Sequence, residues 1–169
     1  KRDYRFKTQI TRTLSEFGFN SKSIIFVDDT AGQSETALLG LDHINTTSVD
    51  KKESQPVVVH NIDTILLNRD FEEYTEKLEG ADCLIDVFNS RNPSYSYILQ
   101  NDDKVSHIVE KQVISNIASS GCYAFKNLFV ADKYMSGPLK THYISEAIAN
   151  MITDENLIQI TRVYSENDT

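Results

Sequence analysis

The sequence has 169 residues, of which 17 are Lys or Arg and 25 are Asp or Glu, so its formal net charge is −8. This length suits one compact domain, and an acidic chain without a run of Lys or Arg argues against binding to nucleic acid or to an anionic membrane. Two Cys cannot build a disulfide framework, and the apolar runs are too short to cross a bilayer. We therefore expect a cytoplasmic protein.

The first half of the chain alternates between helical and strand patterns. Apolar residues at helical spacing from Phe6 to Phe17 predict a first helix, and Gly18 follows as its stop. Three further elements are then predicted, namely a buried strand at 23–27, a helix at 35–44 and a strand at 57–62. The last of these is an unbroken β-branched run, which is typical of a strand covered on both faces.

A third helix is predicted to begin after Asp70 and to end at Gly80, with Glu73 completing a capping box. The order of strand and helix up to this point is typical of right-handed crossovers, in which successive strands run in the same direction. The first half of the sequence therefore predicts a mainly parallel sheet.

The pattern changes in the second half of the chain. A strand is predicted at 83–88, and strands at 95–99 and 105–109 flank a polar turn at 101–103, which indicates a β-hairpin. The remaining elements are a strand at 121–125, helices at 127–134 and 143–152, and a last strand at 157–163. The predicted fold is α/β, with a mixed, mainly parallel sheet and a β-hairpin insertion. It forms one domain over residues 1–169 that looks like part of a larger chain.

A candidate metal ligand lies at the end of the best strand. Asp63 follows the apolar run at 57–62, and ligands of open α/β sheets bind beyond the carboxyl ends of strands. A carboxylate there suits Mg²⁺ held against a polyphosphate. The alternative is that Asp63 only caps the turn that follows, since Asp-Thr is common turn chemistry.

The dipeptide Glu110-Lys111 closes the second hairpin strand. Neighbouring residues of a strand point to opposite faces, so we expect the pair to be more than one surface ion pair. Lys111 could face a phosphate while Glu110 accepts hydrogen bonds from sugar hydroxyls. The alternative is an ordinary solvated strand edge.

Isolated glycines and the cysteines also have competing interpretations. Gly121 interrupts a strand pattern, which marks a bulge or a close approach of a ligand to the backbone. Gly32 precedes a helix and could allow the same approach. Cys83 and Cys122 lie in strands and are interpreted as inert buried thiols.

Six stretches in this order resemble the sugar-1-phosphate nucleotidyltransferases, especially the branch found in capsule and surface-polysaccharide biosynthesis. They are GQSET at 32–36, PVVVHNID at 56–63, NPSYSY at 92–97, VEKQVIS at 109–115, GCYAF at 121–125 and THYIS at 141–145. The resemblance implies a three-layer α/β/α, Rossmann-like fold of the GT-A type. It also implies a Mg²⁺-dependent reaction that joins a nucleoside triphosphate to a sugar 1-phosphate and releases pyrophosphate.

The same resemblance assigns roles to individual residues of this chain. It implies Asp63 as the Mg²⁺ ligand, Lys111 as the cation for the sugar phosphate, Glu110 as the acceptor for sugar hydroxyls, Gly121 as a backbone contact to the sugar, Gly32 as a backbone contact to the nucleotide base, and Tyr143 as part of the sugar pocket. Asp63 and Lys111 are then expected to converge on one cavity.

The chain departs from the family pattern at three places. It has no glycine-rich triphosphate loop, no segment that supplies the second metal aspartate, and Ile62 where a glycine often precedes the metal aspartate. These residues are therefore expected to carry the sugar-phosphate half of the site and to be inactive alone. Two alternatives remain: a GT-A glycosyltransferase that consumes a nucleotide-sugar, and a non-catalytic module that binds a sugar phosphate or nucleotide.

Overall fold

A computed structural model of the chain describes residues 3–47 and 55–169. The helices are α1 (Lys7–Glu16), α2 (Gln33–Thr47), α3 (Phe71–Glu79), α4 (Leu128–Met135) and α5 (Ile144–Thr153). The strands are β1 (Val57–His60), β2 (Cys83–Asn89), β3 (Ser96–Asn101), β4 (Lys104–Glu110), β5 (Ile117–Phe125) and β6 (Ile158–Tyr164). Among the described residues, no helix has the length and apolar character needed to cross a membrane.

The six described strands form one mixed sheet with the order β4-β3-β5-β2-β6, and β1 also pairs with β5. The expectation of a mainly parallel sheet is wrong, because β2–β6 is the one parallel pair among the described strands. β1 and β2 do run in the same direction, as the crossover through α3 requires. They lie on opposite edges of β5, however, and are antiparallel to it.

Helices cover both faces of the sheet, so the expected three-layer α/β/α architecture is confirmed. Alternate residues of β2 point to opposite faces, as the strand period requires. Cys83 and Ile85 pack in the larger core with α2, α4 and α5, while Leu84 packs with Tyr74 and Leu78 of α3. The hairpin of β3 and β4 is confirmed and extends the sheet at one end.

The predicted strand at 23–27 is wrong. A 3-10 turn occupies Ser21–Ser23, and Ile24 is extended but belongs to no ladder. A β-branched, apolar run favours extended backbone, but a strand also needs a neighbour for its N–H and C=O groups. Among the described strands, none pairs with this segment.

Strand β1 is more exposed to solvent than its apolar sequence predicted. Its burial alternates along the strand, and Val58 remains 47% exposed. The other predicted elements are confirmed to within a few residues. Asp70 caps α3 by accepting a hydrogen bond from the Glu72 N–H, whereas Glu73 forms an ion pair with Lys77 instead of closing a capping box.

A buried ion pair lies beneath α3. Asp86 is fully buried at an irregularity of β2, and Arg69 forms two hydrogen bonds with its carboxylate, at 2.8 and 3.0 Å. Tyr74 donates a further hydrogen bond to Asp86. The remaining Arg69 donors bond to the carbonyls of Leu67 and Asp168 and to the Thr169 hydroxyl. Arg69 therefore ties the loop after β1 to the segment that follows β6.

Candidate functional site

A cavity of about 300 Å³ lies where β1 and β3 approach the same edge of β5. β3 pairs with β5 at Ala118 and β1 pairs with it from Cys122 onward, so residues 119–121 face a gap between the two strands. Fourteen of the described residues line this gap, among them Asp63, Glu110, Lys111, Gly121 and Tyr143. The expected convergence of residues 63 and 111 on one cavity is confirmed.

Asp63 reaches the cavity from the turn that follows β1. The backbone N–H of Asn61 donates to the carbonyl of Gly121 at 3.1 Å, which continues the ladder by one residue before the chain turns. Asp63 itself is exposed, and its carboxylate makes no hydrogen bond or ion pair with the described residues. The alternative role of a turn cap therefore has no support in the described contacts.

The Glu110 carboxylate is held on one side only. Its Oε2 atom accepts hydrogen bonds from the hydroxyls of Ser96, at 2.5 Å, and Ser145, at 2.9 Å. Ser96 lies opposite Glu110 in the β3–β4 ladder, and Ser145 lies in the first turn of α5. The Oε1 atom is 3.9 Å from the ammonium of Lys111, too long for a hydrogen bond.

The expectation that Glu110 and Lys111 point to opposite faces is wrong. β4 ends at Glu110, and Lys111 adopts a left-handed backbone with φ of 55°, so the alternation of a strand no longer applies. The Lys111 N–H donates to the carbonyl of Tyr95, which fixes this turn. Both side chains consequently face the same cavity.

The Lys111 ammonium is held by Tyr143. Its Nζ donates to the Tyr143 hydroxyl at 2.7 Å and lies 4.6 Å from the centre of the ring. This hydrogen bond raises the pKa of Lys111, so the ammonium form is stable at neutral pH. About half of the Lys111 side chain is exposed, which leaves its other donors accessible from the cavity.

The backbone conformation and the packing at position 121 require a glycine. Its φ is +83°, and a Cβ at this position would lie 2.4 Å from Nδ2 of Asn61. The Gly121 N–H already donates to the Ser119 hydroxyl, and its carbonyl accepts from Asn61. Close packing therefore explains the glycine without a ligand, although Gly121 also lines the cavity.

Gly32 packs against a loop and does not line the cavity. A Cβ at Gly32 would lie 2.7 Å from Cβ of His142, and the neighbouring Ser34 N–H donates to the His142 carbonyl. Gln33 lines the cavity instead. Gly32 thus lets the start of α2 approach the loop that carries Tyr143.

Several lining residues were assigned no role from the sequence, although most of them lie in the stretches that carry the family resemblance. Hydroxyl and amide groups dominate among them, namely Gln33, Asn61, Thr64, Ser94, Tyr95, Ser96, Ser119, Ser120 and Tyr123. The signal that could have found some of them is the run Ser119-Ser120-Gly121, since small polar residues are unusual in a buried strand. Burial raises the pKa of Tyr123 to about 12, so its phenol is neutral at physiological pH.

The substitution Gly121→Ala tests this backbone geometry. We expect it to lower the free energy of unfolding by at least about 1–2 kcal/mol, because the left-handed conformation is unfavourable for alanine and the new Cβ meets Asn61. The measurement is urea unfolding followed by circular dichroism. Gly40→Ala in α2 is the control, since its Cβ meets nothing within 4 Å and should stabilise the helix. Equally small changes in the free energy of unfolding for the two substitutions would contradict the requirement for glycine at position 121.

No protein-family profile and no curated protein sequence matches the chain. Solved structures do share its fold. A nucleoside-diphosphate-sugar pyrophosphorylase from Vibrio cholerae RC9 is 24% identical with a TM-score of 0.68, over 85% of this chain and 61% of that one. A protein from Bacillus anthracis, assigned as a glucose-1-phosphate thymidylyltransferase and crystallised with sucrose, is 17% identical with a TM-score of 0.61, over 80% and 55%.

A third similar structure is the inositol-1-phosphate CTP transferase from T. maritima. It is 11% identical with a TM-score of 0.58, over 84% of this chain and 57% of that one. At these identities the likeness establishes the Rossmann-like nucleotidyltransferase fold and no more. The chain spans about 55–61% of the length of these three proteins.

Proposed function

We propose that this chain is the sugar-phosphate-binding part of a nucleotidyltransferase that joins a nucleoside triphosphate to a sugar 1-phosphate and releases pyrophosphate. One observation carries the proposal: three charged side chains, Asp63, Glu110 and Lys111, line one polar cavity. In that order they offer a carboxylate that can bind a metal ion, a carboxylate that can accept hydrogen bonds from hydroxyls, and an ammonium. The shared fold with three nucleotidyltransferase structures supports it. A role in surface-polysaccharide biosynthesis in the cytoplasm is part of the same proposal.

The proposed roles follow from the chemistry of the side chains. Lys111 binds the phosphate of the nucleophile as a point charge, and Glu110 accepts hydrogen bonds from sugar hydroxyls through Oε1, which has no hydrogen-bond donor among the described residues. Positioning and charge neutralisation dominate such a reaction, because two anions must meet. No general base is required, since the second ionisation of a phosphate monoester has a pKa near 6.

Asp63 fits a Mg²⁺ ion as a single ligand. Its carboxylate is exposed at the cavity and carries no hydrogen bond or ion pair with described residues. Among the described residues, no group of three His, Cys, Asp or Glu side chains could form a cage around a metal. Mg²⁺ commonly binds through one or two carboxylates with substrate phosphates and water completing its shell. Bound there, the ion would neutralise the triphosphate and stabilise the departing pyrophosphate.

We further propose that the 169 residues bind a sugar phosphate without turning it over. Lys111 is the one cation among the lining residues of this cavity in the described part of the chain. A triphosphate together with a phosphate monoester requires more positive charge than one ammonium supplies.

The test measures binding and turnover separately on the 169-residue chain. Isothermal titration with sugar 1-phosphates in the presence of Mg²⁺ should detect binding. The same sugar 1-phosphates, each combined with a panel of nucleoside triphosphates and Mg²⁺, should give only background release of pyrophosphate. Failure to bind any sugar 1-phosphate would exclude the proposed function. Substantial pyrophosphate release would instead show that the chain is a complete enzyme.

The substitution Asp63→Asn tests the metal site. We expect the affinity for Mn²⁺, used as a paramagnetic substitute for Mg²⁺, to fall at least about tenfold. Tenfold is the lower end of the loss seen when a residue that only contacts a metal ligand is replaced. The measurement is Mn²⁺-dependent relaxation of water protons in the presence of glucose 1-phosphate. Asp102→Asn in the β3–β4 turn is the matched control, since asparagine tolerates the φ of 53° there. An equal effect of both substitutions would remove Asp63 from the metal site.

A further inference from the structure

The carboxylate of Glu110 and the ammonium of Lys111 are adjacent in sequence and share the cavity, yet they do not form a hydrogen-bonded ion pair. The shortest distance between them is 3.9 Å. Two other partly exposed lysines lie at similar distances from a carboxylate, 3.7 Å for Lys126 and 3.8 Å for Lys133. At this site, hydrogen bonds to other side chains hold each charged group in its place.

The first turn of α5 contacts both groups. Ser145 is 3% exposed and donates to Oε2 of Glu110, whereas the 3.9 Å approach of Lys111 is to Oε1. Tyr143 is the N-cap residue of the same helix, and its hydroxyl accepts from Lys111 Nζ. The position of this turn is fixed, because the neighbouring His142 carbonyl accepts from the Ser34 N–H of α2.

A second lysine in the chain provides a comparison. Lys133 donates to the Tyr134 hydroxyl at 2.9 Å and lies 3.8 Å from Oδ2 of Asp154. There the same Tyr134 hydroxyl donates to that carboxylate, so the phenol bridges the two charges. Tyr143 makes no such bond to Glu110 in the described structure, where Ser96 and Ser145 hold the carboxylate.

We propose that Tyr143 and Ser145 are positioning residues that keep Lys111 and Glu110 apart as a separate donor and acceptor facing the cavity. This inference rests on the proposed function, since a guest with a phosphate and a hydroxyl uses both groups at once. One of the three N–H donors of the Lys111 ammonium bonds to Tyr143. One of the two oxygens of the Glu110 carboxylate accepts from Ser96 and Ser145. The remaining sites stay available because they are not hydrogen-bonded to each other.

The test measures the coupling between the two charges in the 169-residue chain without substrate. The pKa of Lys111 is followed by NMR of its ¹³Cε and ¹⁵Nζ nuclei, with and without Glu110→Gln. In the wild-type background, Glu110→Gln should lower this pKa modestly. In the Ser145→Ala or Tyr143→Phe background, Glu110→Gln should lower the pKa of Lys111 by at least about 1.4 times as much as it does in the wild type. This factor is the ratio of the observed distance, 3.9 Å, to the about 2.8 Å of a closed ion pair.

Two controls accompany this measurement. Ser106→Ala removes a half-buried hydroxyl of β4 that bonds to the Leu99 carbonyl and to the ring of the neighbouring His107, so it should leave the coupling at its wild-type value. The Lys133 signal serves as an internal reference, because its partners lie outside the cavity. It should titrate identically in every variant.

Binding of glucose 1-phosphate is then measured on the same variants. Ser145→Ala should weaken it by up to about fivefold, the equivalent of opening one exposed ion pair. Unchanged coupling in both Ser145→Ala and Tyr143→Phe would overturn the positioning role whatever the affinity. Increased coupling in a protein that binds no sugar 1-phosphate would support the positioning role and overturn the proposed function alone.

Discussion

Replacement of Arg69 by leucine is expected to lower the free energy of unfolding by about 3–5 kcal/mol. The substitution leaves the carboxylate of Asp86 buried without its charged partner, and the loss of an opposite charge inside a protein costs more than the pair itself contributed. It also removes three hydrogen bonds that hold the loop after β1 and the segment after β6. Urea unfolding followed by circular dichroism measures the change.

Arg12→Leu is the matched control for this prediction. Arg12 forms an ion pair with Glu16 on the surface of α1, with both side chains more than 60% exposed, so its loss should change stability by less than about 1 kcal/mol. Adding Asp86→Asn to Arg69→Leu should recover part of the lost stability, because the uncompensated charge is then gone. No recovery in the double variant would show that the charge of Asp86 is not the cause.

Replacement of Lys111 by methionine is expected to weaken binding of sugar 1-phosphates by roughly 10- to 100-fold. This range corresponds to about 1.5–3 kcal/mol for a hydrogen bond to a charged group. Methionine keeps the length and apolar stem of the side chain, so contact with the Tyr143 ring is largely preserved while the charge is lost. Isothermal titration with glucose 1-phosphate, at two salt concentrations, measures the effect.

Lys126→Met is the matched control because the two lysines are similarly exposed, at 49% and 53% of the side chain. Lys126 also lies near a carboxylate, 3.7 Å from Asp82, but does not line the cavity. Its replacement should leave the affinity unchanged. If Lys111→Met binds sugar 1-phosphates as tightly as the wild type does, Lys111 has no role in phosphate binding.

Local pattern was sufficient to predict most elements but not how they pair. Helix spacing and the Asp70 cap located α3, and the turn at 101–103 located the hairpin. The direction of strand pairing is a property of the whole sheet, since β1 and β2 meet β5 from opposite edges. The strand predicted at 23–27 was wrong for the same reason. Its residues favour extended backbone, but a strand also needs a neighbouring strand with which to pair.

The candidate site was predicted in its charged residues and in Tyr143, whereas the serines that hold Glu110 were given no role. Asp63, Glu110 and Lys111 were identified because the chain order of their motifs is informative. The left-handed backbone at Lys111 was not predicted, because lysine is an uncommon residue there. The Arg69–Asp86 pair was also missed, since nothing local distinguishes an arginine that will be buried from an exposed one.

The gap along β5 has a consequence for how binding preference can change. Ser119 and Ser120 pair with neither β1 nor β3, and Asn61 bonds to Gly121 just beyond them, so at about 3.3 Å per residue the opening is roughly 7 Å long. Main-chain hydrogen bonds set this length, whereas side chains such as Ser94 and Thr64 form its rim. Under the proposed function, exchange of these side chains would alter which sugar hydroxyls are contacted, while the length of the opening would stay the same.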